Sequence, residues 1–186
     1  MRILAISGSL RADSHNSRLL RHVAERAPVG VAVEIWDGLR SIPPYDQDDD
    51  SDIAPLSVTE LRRTIADADA LLIATPEYNA SIPGVLKNAI DWASRPRATT
   101  PLQGKPTAVI GATTGSFGAA WAQAEGRKVL ASAGARVIAL DLPVAKAHEA
   151  FDDAGALHST DHDDRIGEIL GALVAEVETD LTLAAA

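Results

Sequence analysis

The stretch RILAISGSLRADSHNSRLLRHVAERA, residues 2–27, decides the fold. Residues 2–6 form a short apolar run of strand character, while Leu19, Leu20, Val23, Ala24 and Ala27 recur at helical spacing within 15–27. Between the two lies SGSLRADSHNS (7–17), a segment of small polar residues with one arginine, Arg11. A helix that starts directly after such a loop turns its free N–H groups toward it. Ser9, Ser14, Asn16 and Ser17 add hydroxyls and an amide, and Arg11 adds a full positive charge. Strand, polar loop and helix together make a seat for a phosphate.

The same unit repeats along the chain. Pro28 and Gly30 stop the first helix, and residues 31–36 (VAVEIW) read as a second strand. Residues 37–55 hold several prolines and aspartates and read as a long surface loop, followed by a helix over about 56–66. ALLIAT (70–75) is apolar on both faces, the pattern of a central parallel strand covered by helices. A helix is predicted at 84–94, a strand at 105–113, a helix ending near Gly134, a strand at 135–140 (ARVIAL) and a last helix over about 161–181. Five strands alternating with five helices imply one domain, residues 1–186, of α/β class: a doubly wound sheet of five parallel strands with helices on both faces. A phosphate-binding first loop favours the flavodoxin-like order 2-1-3-4-5.

Composition removes several function classes. A chain without cysteine has no disulfide framework, thiolate nucleophile or Cys-ligated metal. A net charge of −9 opposes binding to nucleic acid. No apolar run approaches the ~20 residues that span a bilayer, and Ile3–Ile6 is too short for the core of a secretion signal, so the expectation is a cytoplasmic protein without a membrane partner. There is no G-x-x-x-x-G-K-[ST] phosphate loop and no G-x-S-x-G nucleophile elbow. The aspartates Asp46, Asp48, Asp49, Asp50 and Asp52 lack the glycine and glutamate of a calcium loop in any register, and His158 and His162 lack a third ligand, so no metal site is expected.

In an open parallel sheet, ligands bind beyond the carboxyl ends of the strands. The loops there, SGSLRADSHNS (7–17), TPEYNAS (75–81) and GATTGSFG (111–118), are the three most unusual of the chain. GSLRADSHNS followed by PEYNASIPGVLKNAIDWASRP resembles the NAD(P)H-dependent FMN reductase family, which includes quinone, azo-dye and chromate reductases. The resemblance implies bound FMN, with NAD(P)H as co-substrate and a quinone, free flavin, azo compound or metal oxyanion as electron acceptor. It matches Ser9, Arg11, Ser14, Asn16 and Ser17 to the FMN phosphate, Pro76, Glu77, Tyr78 and Asn79 to the isoalloxazine ring, and Thr113, Thr114, Gly115 and Ser116 to the far side of the flavin. It also implies a homodimer or homotetramer, with Tyr45 of the IPPYDQD loop reaching toward a neighbour's site.

Because the flavin carries the hydride chemistry, no catalytic side chain is demanded. Backbone N–H groups of PEYN are expected at the polar edge of the ring, and Tyr78 and Phe117 at its faces. Two residues depart from the family pattern: Asp13 stands where a small residue is common, and Trp121 where an arginine often follows the third loop. His15 either faces the phosphate or merely starts the helix. Trp36, Trp92 and Trp121 read as core or interface groups. The competing functions are a flavodoxin-like electron carrier that does not oxidise nicotinamide, and a cofactor-free scaffold.

Overall fold

A computed structural model describes residues 1–50 and 54–184. The first strand, β1 (Arg2–Ser7), leads into α1 (His15–Glu25) and then β2 (Ala32–Trp36). A single 3-10 turn at Gly38–Ser41 precedes α2 (Leu56–Asp67), β3 (Ala70–Ala74), α3 (Gly84–Ala93), β4 (Pro106–Ala112) and α4 (Ala120–Ser132). The chain continues through β5 (Arg136–Val137), β6 (Pro143–Val144), the short α5 (Ala147–Ala150) and α6 (Thr160–Ala184). The strands are parallel and ordered β2-β1-β3-β4-β5, as the alternation and the first loop predicted.

Period-two alternation in the central strands sorts the core into two layers. Ile3, Ala5, Leu72 and Ile110 pack with Leu19, Leu20 and Val23 of α1 and Ile166, Leu170 and Leu173 of α6. Leu4, Ile6, Leu71, Ile73 and Val109 pack with α2, α3 and α4 through Leu61, Ile65, Leu86, Ile90 and Leu130. Trp92 is fully buried on α3, as expected of a core group.

The predicted fifth strand, 135–140, is corrected by the structure. Arg136 lies opposite Pro106 and Pro143 opposite Gly111, so eight residues of this edge (136–143) span the same length as six of β4 (106–111), and two extra residues bulge out. The bulge splits the edge into β5 and β6, both paired to β4. It is held by Leu142, whose carbonyl accepts from the Gly111 N–H and whose N–H donates to Gln123 Oε1. Pro143, with no N–H to give, suits an edge position. The α5 turn was not predicted either; four residues carry too little periodicity to read.

Asp52, one of the clustered aspartates, lies outside the described residues. Asp50 pairs with Arg62 at 2.7 Å, and Tyr45 packs edge-on against Trp92 of its own chain with ring centroids 4.8 Å apart. Among the described residues no group of three or more His, Asp or Glu is placed to hold a metal ion, and no helix is long and apolar enough to cross a membrane.

α1 and α6 are clamped by charge as well as by packing. Buried His22 contacts Asp163 Oδ1 at 2.7 Å, and Arg26 donates to Asp163 Oδ2 at 2.9 Å. Burial pushes the Asp163 carboxyl upward, but the hydrogen bonds from His22 and Arg26 outweigh it and hold the group below the usual carboxylate range. The stabilisation is therefore present above the unfolded carboxylate pKa and lost as pH falls through the depressed folded value. Asp163→Asn is expected to cost about 1–2 kcal/mol at pH 7. Denaturant titrations should show that difference shrinking in acid, where the wild-type carboxyl is itself protonated.

Candidate functional site

β1, β3 and β4 are neighbours at the centre of the sheet, so their carboxyl ends deliver the three unusual loops to one edge. The Gly8 N–H donates to Ala74 O at 2.8 Å and the Thr75 N–H to Ile110 O at 2.9 Å, which locks each loop base to the next strand. One cleft of about 190 Å³ is lined by Ser9, Arg11, Ser14 and Asn16 of the first loop, Pro76, Glu77 and Tyr78 of the second, and Thr113 and Thr114 of the third. Arg11 also lines two adjoining cavities. One, about 200 Å³, includes Ser17, Trp36 and Arg40; the other, about 470 Å³, includes Leu10, Tyr78, Pro83 and Val85. Asn79, Gly115 and Ser116 line none of the three.

The first loop is built around the start of α1. Ser14 is its N-cap, with Oγ accepting from the Ser17 N–H at 3.2 Å, and the Arg18 N–H donates to Ser14 O. The N–H groups of His15 and Asn16 are the ones this leaves over. Ser17 Oγ bonds Ser7 Oγ at 3.0 Å, and Ser7 Oγ also accepts from the Ser9 N–H. Arg11 is exposed, and its guanidinium makes no hydrogen bond among the described residues. Asp13 turns to Arg18 at 3.0 Å and stays out of the cleft, which disposes of the charge conflict its sequence position raised.

The Asn16 side chain is engaged within the protein. Buried at 2% exposure, it donates from Nδ2 to Ala112 O and accepts at Oδ1 from the Ala112 N–H, each at 2.9 Å. Its side chain thus ties α1 to the end of β4, and what it presents to a ligand is its backbone N–H.

In the second loop Tyr78 and Ser81 exchange backbone hydrogen bonds of 3.0 and 3.1 Å across Asn79 and Ala80, whose φ values are +53° and +59°. Two consecutive left-handed residues are what a type I′ turn requires, and Ala80 carries a steric cost there of about 1 kcal/mol. The Tyr78 N–H is therefore engaged, so of the PEYN amides only those of Glu77 and Asn79 are free among the described residues. The Tyr78 ring is half-exposed at the mouth of two cavities. Glu77 Oε2 accepts from the Trp121 and Ala122 N–H groups at 3.1 and 3.2 Å. It caps α4, whose own N-cap residue, Ala119, has no side chain able to do so.

The third loop is stitched to β6 and α5. The Thr113 N–H donates to Val144 O, the Ala147 N–H to Thr113 O and the Lys146 N–H to Gly115 O, all at 2.9–3.0 Å. Fully buried Gln123 donates to Gly118 O from Nε2. Phe117 and Trp121 pack edge to face at 4.8 Å and remain largely exposed, and neither lines any of the three cavities.

Sequence reasoning passed over Arg40, which donates to Leu10 O, and the 143–147 segment behind the third loop. Neither carries a motif; both arrive at the site only through the sheet order. His15 also lines the cleft. Burial, then the charges of Arg18 and Arg11, hold its imidazole below the usual histidine pKa.

The chain is 44% identical over 158 residues to an NAD(P)H-dependent FMN reductase of Pseudomonas aeruginosa, covering 84% of each chain. It is 47% identical over 131 residues to a 2-hydroxy-1,4-benzoquinone reductase of a Burkholderia species, covering 70% of each. Among solved structures it resembles a flavoenzyme NAD(P)H:(acceptor) oxidoreductase of Paracoccus denitrificans, with TM-score 0.83 and 35% identity over 96% of this chain and 97% of that one. A flavodoxin of P. aeruginosa matches the fold with TM-score 0.60 at 17% identity, covering 93% of this chain and 99% of that one. A family model described as NADPH-dependent FMN reductase matches residues 1–149, and the chain belongs to that family.

Proposed function

We propose that this protein is an FMN-dependent oxidoreductase that takes two electrons from NAD(P)H and gives them to a small-molecule acceptor. Quinones are the favoured acceptor class, with free flavin, azo compounds and metal oxyanions as others. The observation that carries the reading is the convergence of all three loops on one cleft with an unengaged arginine. The donor set there suits a phosphate monoester: two free N–H groups at a helix start, the hydroxyls of Ser9 and Ser14, and Arg11. The adjoining cavity of about 470 Å³, walled by Leu10, Tyr78, Pro83 and Val85, suits a planar ring.

FMN, when bound, supplies the hydride acceptance and two-electron transfer. The protein's task is to bind and orient it. Arg11, Ser9, Ser14 and the start of α1 hold the phosphate end. Tyr78 and its turn define the ring end, with the Glu77 and Asn79 N–H groups available for negative charge. Thr113 and Thr114 close the opposite side, on the loop that runs on through Gly115 and Ser116, with Ser17 bracing the first loop through Ser7. A cytoplasmic homodimer or homotetramer built from one such domain per chain completes the proposal.

Steady-state oxidation of NADH and NADPH with each acceptor class tests it; flavin that stays oxidised under NADPH would leave only the electron-carrier reading. Arg11→Ala is expected to weaken FMN binding by about 1–3 kcal/mol, the loss of a charge-assisted hydrogen bond. A flavin-fluorescence titration with unchanged affinity would remove Arg11 from the phosphate seat.

A further inference from the structure

We propose that His15 is the proton-coupled member of the phosphate seat: it takes up a proton from solvent as the phosphate of FMN binds, making selection of phosphorylated flavin over riboflavin pH-dependent. The inference rests on the FMN reading above.

His15 is the first residue of α1 and lines the cleft with Ser9, Arg11 and Ser14. Its ring lies parallel to Phe151, with an interplanar angle of 9° and centroids 6.4 Å apart. Phe151 is itself fixed, being 7% exposed and bridged to Leu157, and the Arg18 guanidinium sits 5.7 Å from the same ring. The imidazole is thus packed in place. Its Nδ1 is buried and has no hydrogen-bond partner among the described residues. An unpaired buried nitrogen is a cost that a folded protein normally avoids; Nε2, neither buried nor hydrogen-bonded among the described residues, is the ring atom left to meet a ligand in the cleft.

The charges around His15 come from three elements. Arg11 and Asp13 lie on the loop before it, Arg18 on its own helix α1, and His148 on α5. Asp13 is paired with Arg18, so the balance without ligand is positive, and together with burial it disfavours the imidazolium. A phosphate dianion in the cleft reverses that balance and offers the acceptor that a protonated ring needs. No electron moves in this step; one proton passes from solvent to the ring.

The direction follows from linkage. The histidine pKa rises on binding, so the affinity gain is complete below the depressed free value and is lost as pH rises through the bound value. Between about pH 6.5 and 8.5 the ligand phosphate, with a second pKa near 6, stays mainly dianionic and does not obscure the effect.

The test uses the full chain stripped of flavin. Calorimetric titrations with FMN and with riboflavin, in two buffers of different ionisation enthalpy, measure protons taken up, and fluorescence gives Kd from pH 6.5 to 8.5. Expected are net proton uptake with FMN alone and an FMN Kd that rises up to about tenfold across that range, one pKa unit's worth. His15→Gln should flatten both, while His148→Gln should not. If His15→Gln does not fold, wild-type uptake read against His148→Gln decides. FMN binding with no uptake and a flat profile, or a profile flattened by His148→Gln, overturns the role of His15 and leaves the FMN reading standing. Failure of FMN to bind at all overturns both.

Discussion

Asn16→Ala is expected to lose about 3–5 kcal/mol of folding stability, more than any substitution that touches only the ligand. The buried Ala112 N–H and C=O both use the Asn16 amide, and alanine leaves both without that partner. Each orphaned buried group costs about 1–3 kcal/mol. For a domain of this size the loss lowers the thermal midpoint by roughly 6–20 °C. The substitution also releases α1 from the end of β4, so the first and third loops lose their shared register. FMN affinity should therefore fall with stability, even though the Asn16 side chain is spent on the protein. Asn16→Asp separates the two effects. A carboxylate still accepts from the Ala112 N–H but faces the Ala112 carbonyl with no donor, so it should be nearly as unstable as alanine. Thermal and denaturant melts that leave either variant at wild-type stability would show that this joint is not what holds the two loops together.

Sheet order and loop placement were legible because they follow from patterns of long range. Apolar runs at residues 2–6, 70–75 and 105–113, separated by helical periodicity, leave little freedom once crossovers are right-handed. The motif residues then had to reach one edge, and Ser9, Arg11, Ser14, Tyr78 and Thr113 do. What each side chain does there was less legible, because it depends on partners far away in sequence. Asn16 and Glu77 both stand in the motifs, yet one binds Ala112 and the other caps α4 across 44 residues. Nothing in PEYN says that the Tyr78 N–H closes a turn with Ser81. The split of the fifth strand was hidden for a similar reason: ARVIAL has good strand composition, but where it leaves β4 is decided by Gln123, fixed to Gly118 and Leu142 from another helix.

Glu77 and Gln123 together join the second and third loops through α4. Glu77 reaches from the second loop to the first N–H groups of α4, replacing the cap that Ala119 cannot supply. Gln123, the next residue of α4, holds Gly118 and the β5–β6 bulge. The exposed Phe117–Trp121 pair is carried on this same joint. The Trp121 ring lines none of the three cavities, and its backbone N–H, which any residue would offer, is the part that Glu77 uses.

Gly118→Ala is expected to be the second most damaging change, at about 2–5 kcal/mol. Gly118 has φ +58°, a conformation that costs an L-residue about 1–2 kcal/mol. A Cβ there would also lie 2.4 Å from the Pro143 carbonyl carbon and 2.6 Å from Pro143 Cβ. That neighbour cannot step aside cheaply, because Pro143 belongs to β6 and β6 is paired to Gly111 and Ala112 of β4. Either β6 leaves the sheet edge, or the loop from Thr113 to Gly118 moves into the cleft. Both routes break the bonds from Lys146 to Gly115 and from Gln123 to Gly118 that fix the third loop. The expected result is a lower melting midpoint together with FMN affinity reduced at least as much as by Arg11→Ala. Gly115→Ala is the control: a Cβ at Gly115 meets nothing closer than 3.9 Å, so stability should stay within about 0.5–1 kcal/mol of wild type. Equal stability for the two alanine variants would mean that β6 yields to the loop, and that the third loop is not set by its contact with the sheet edge.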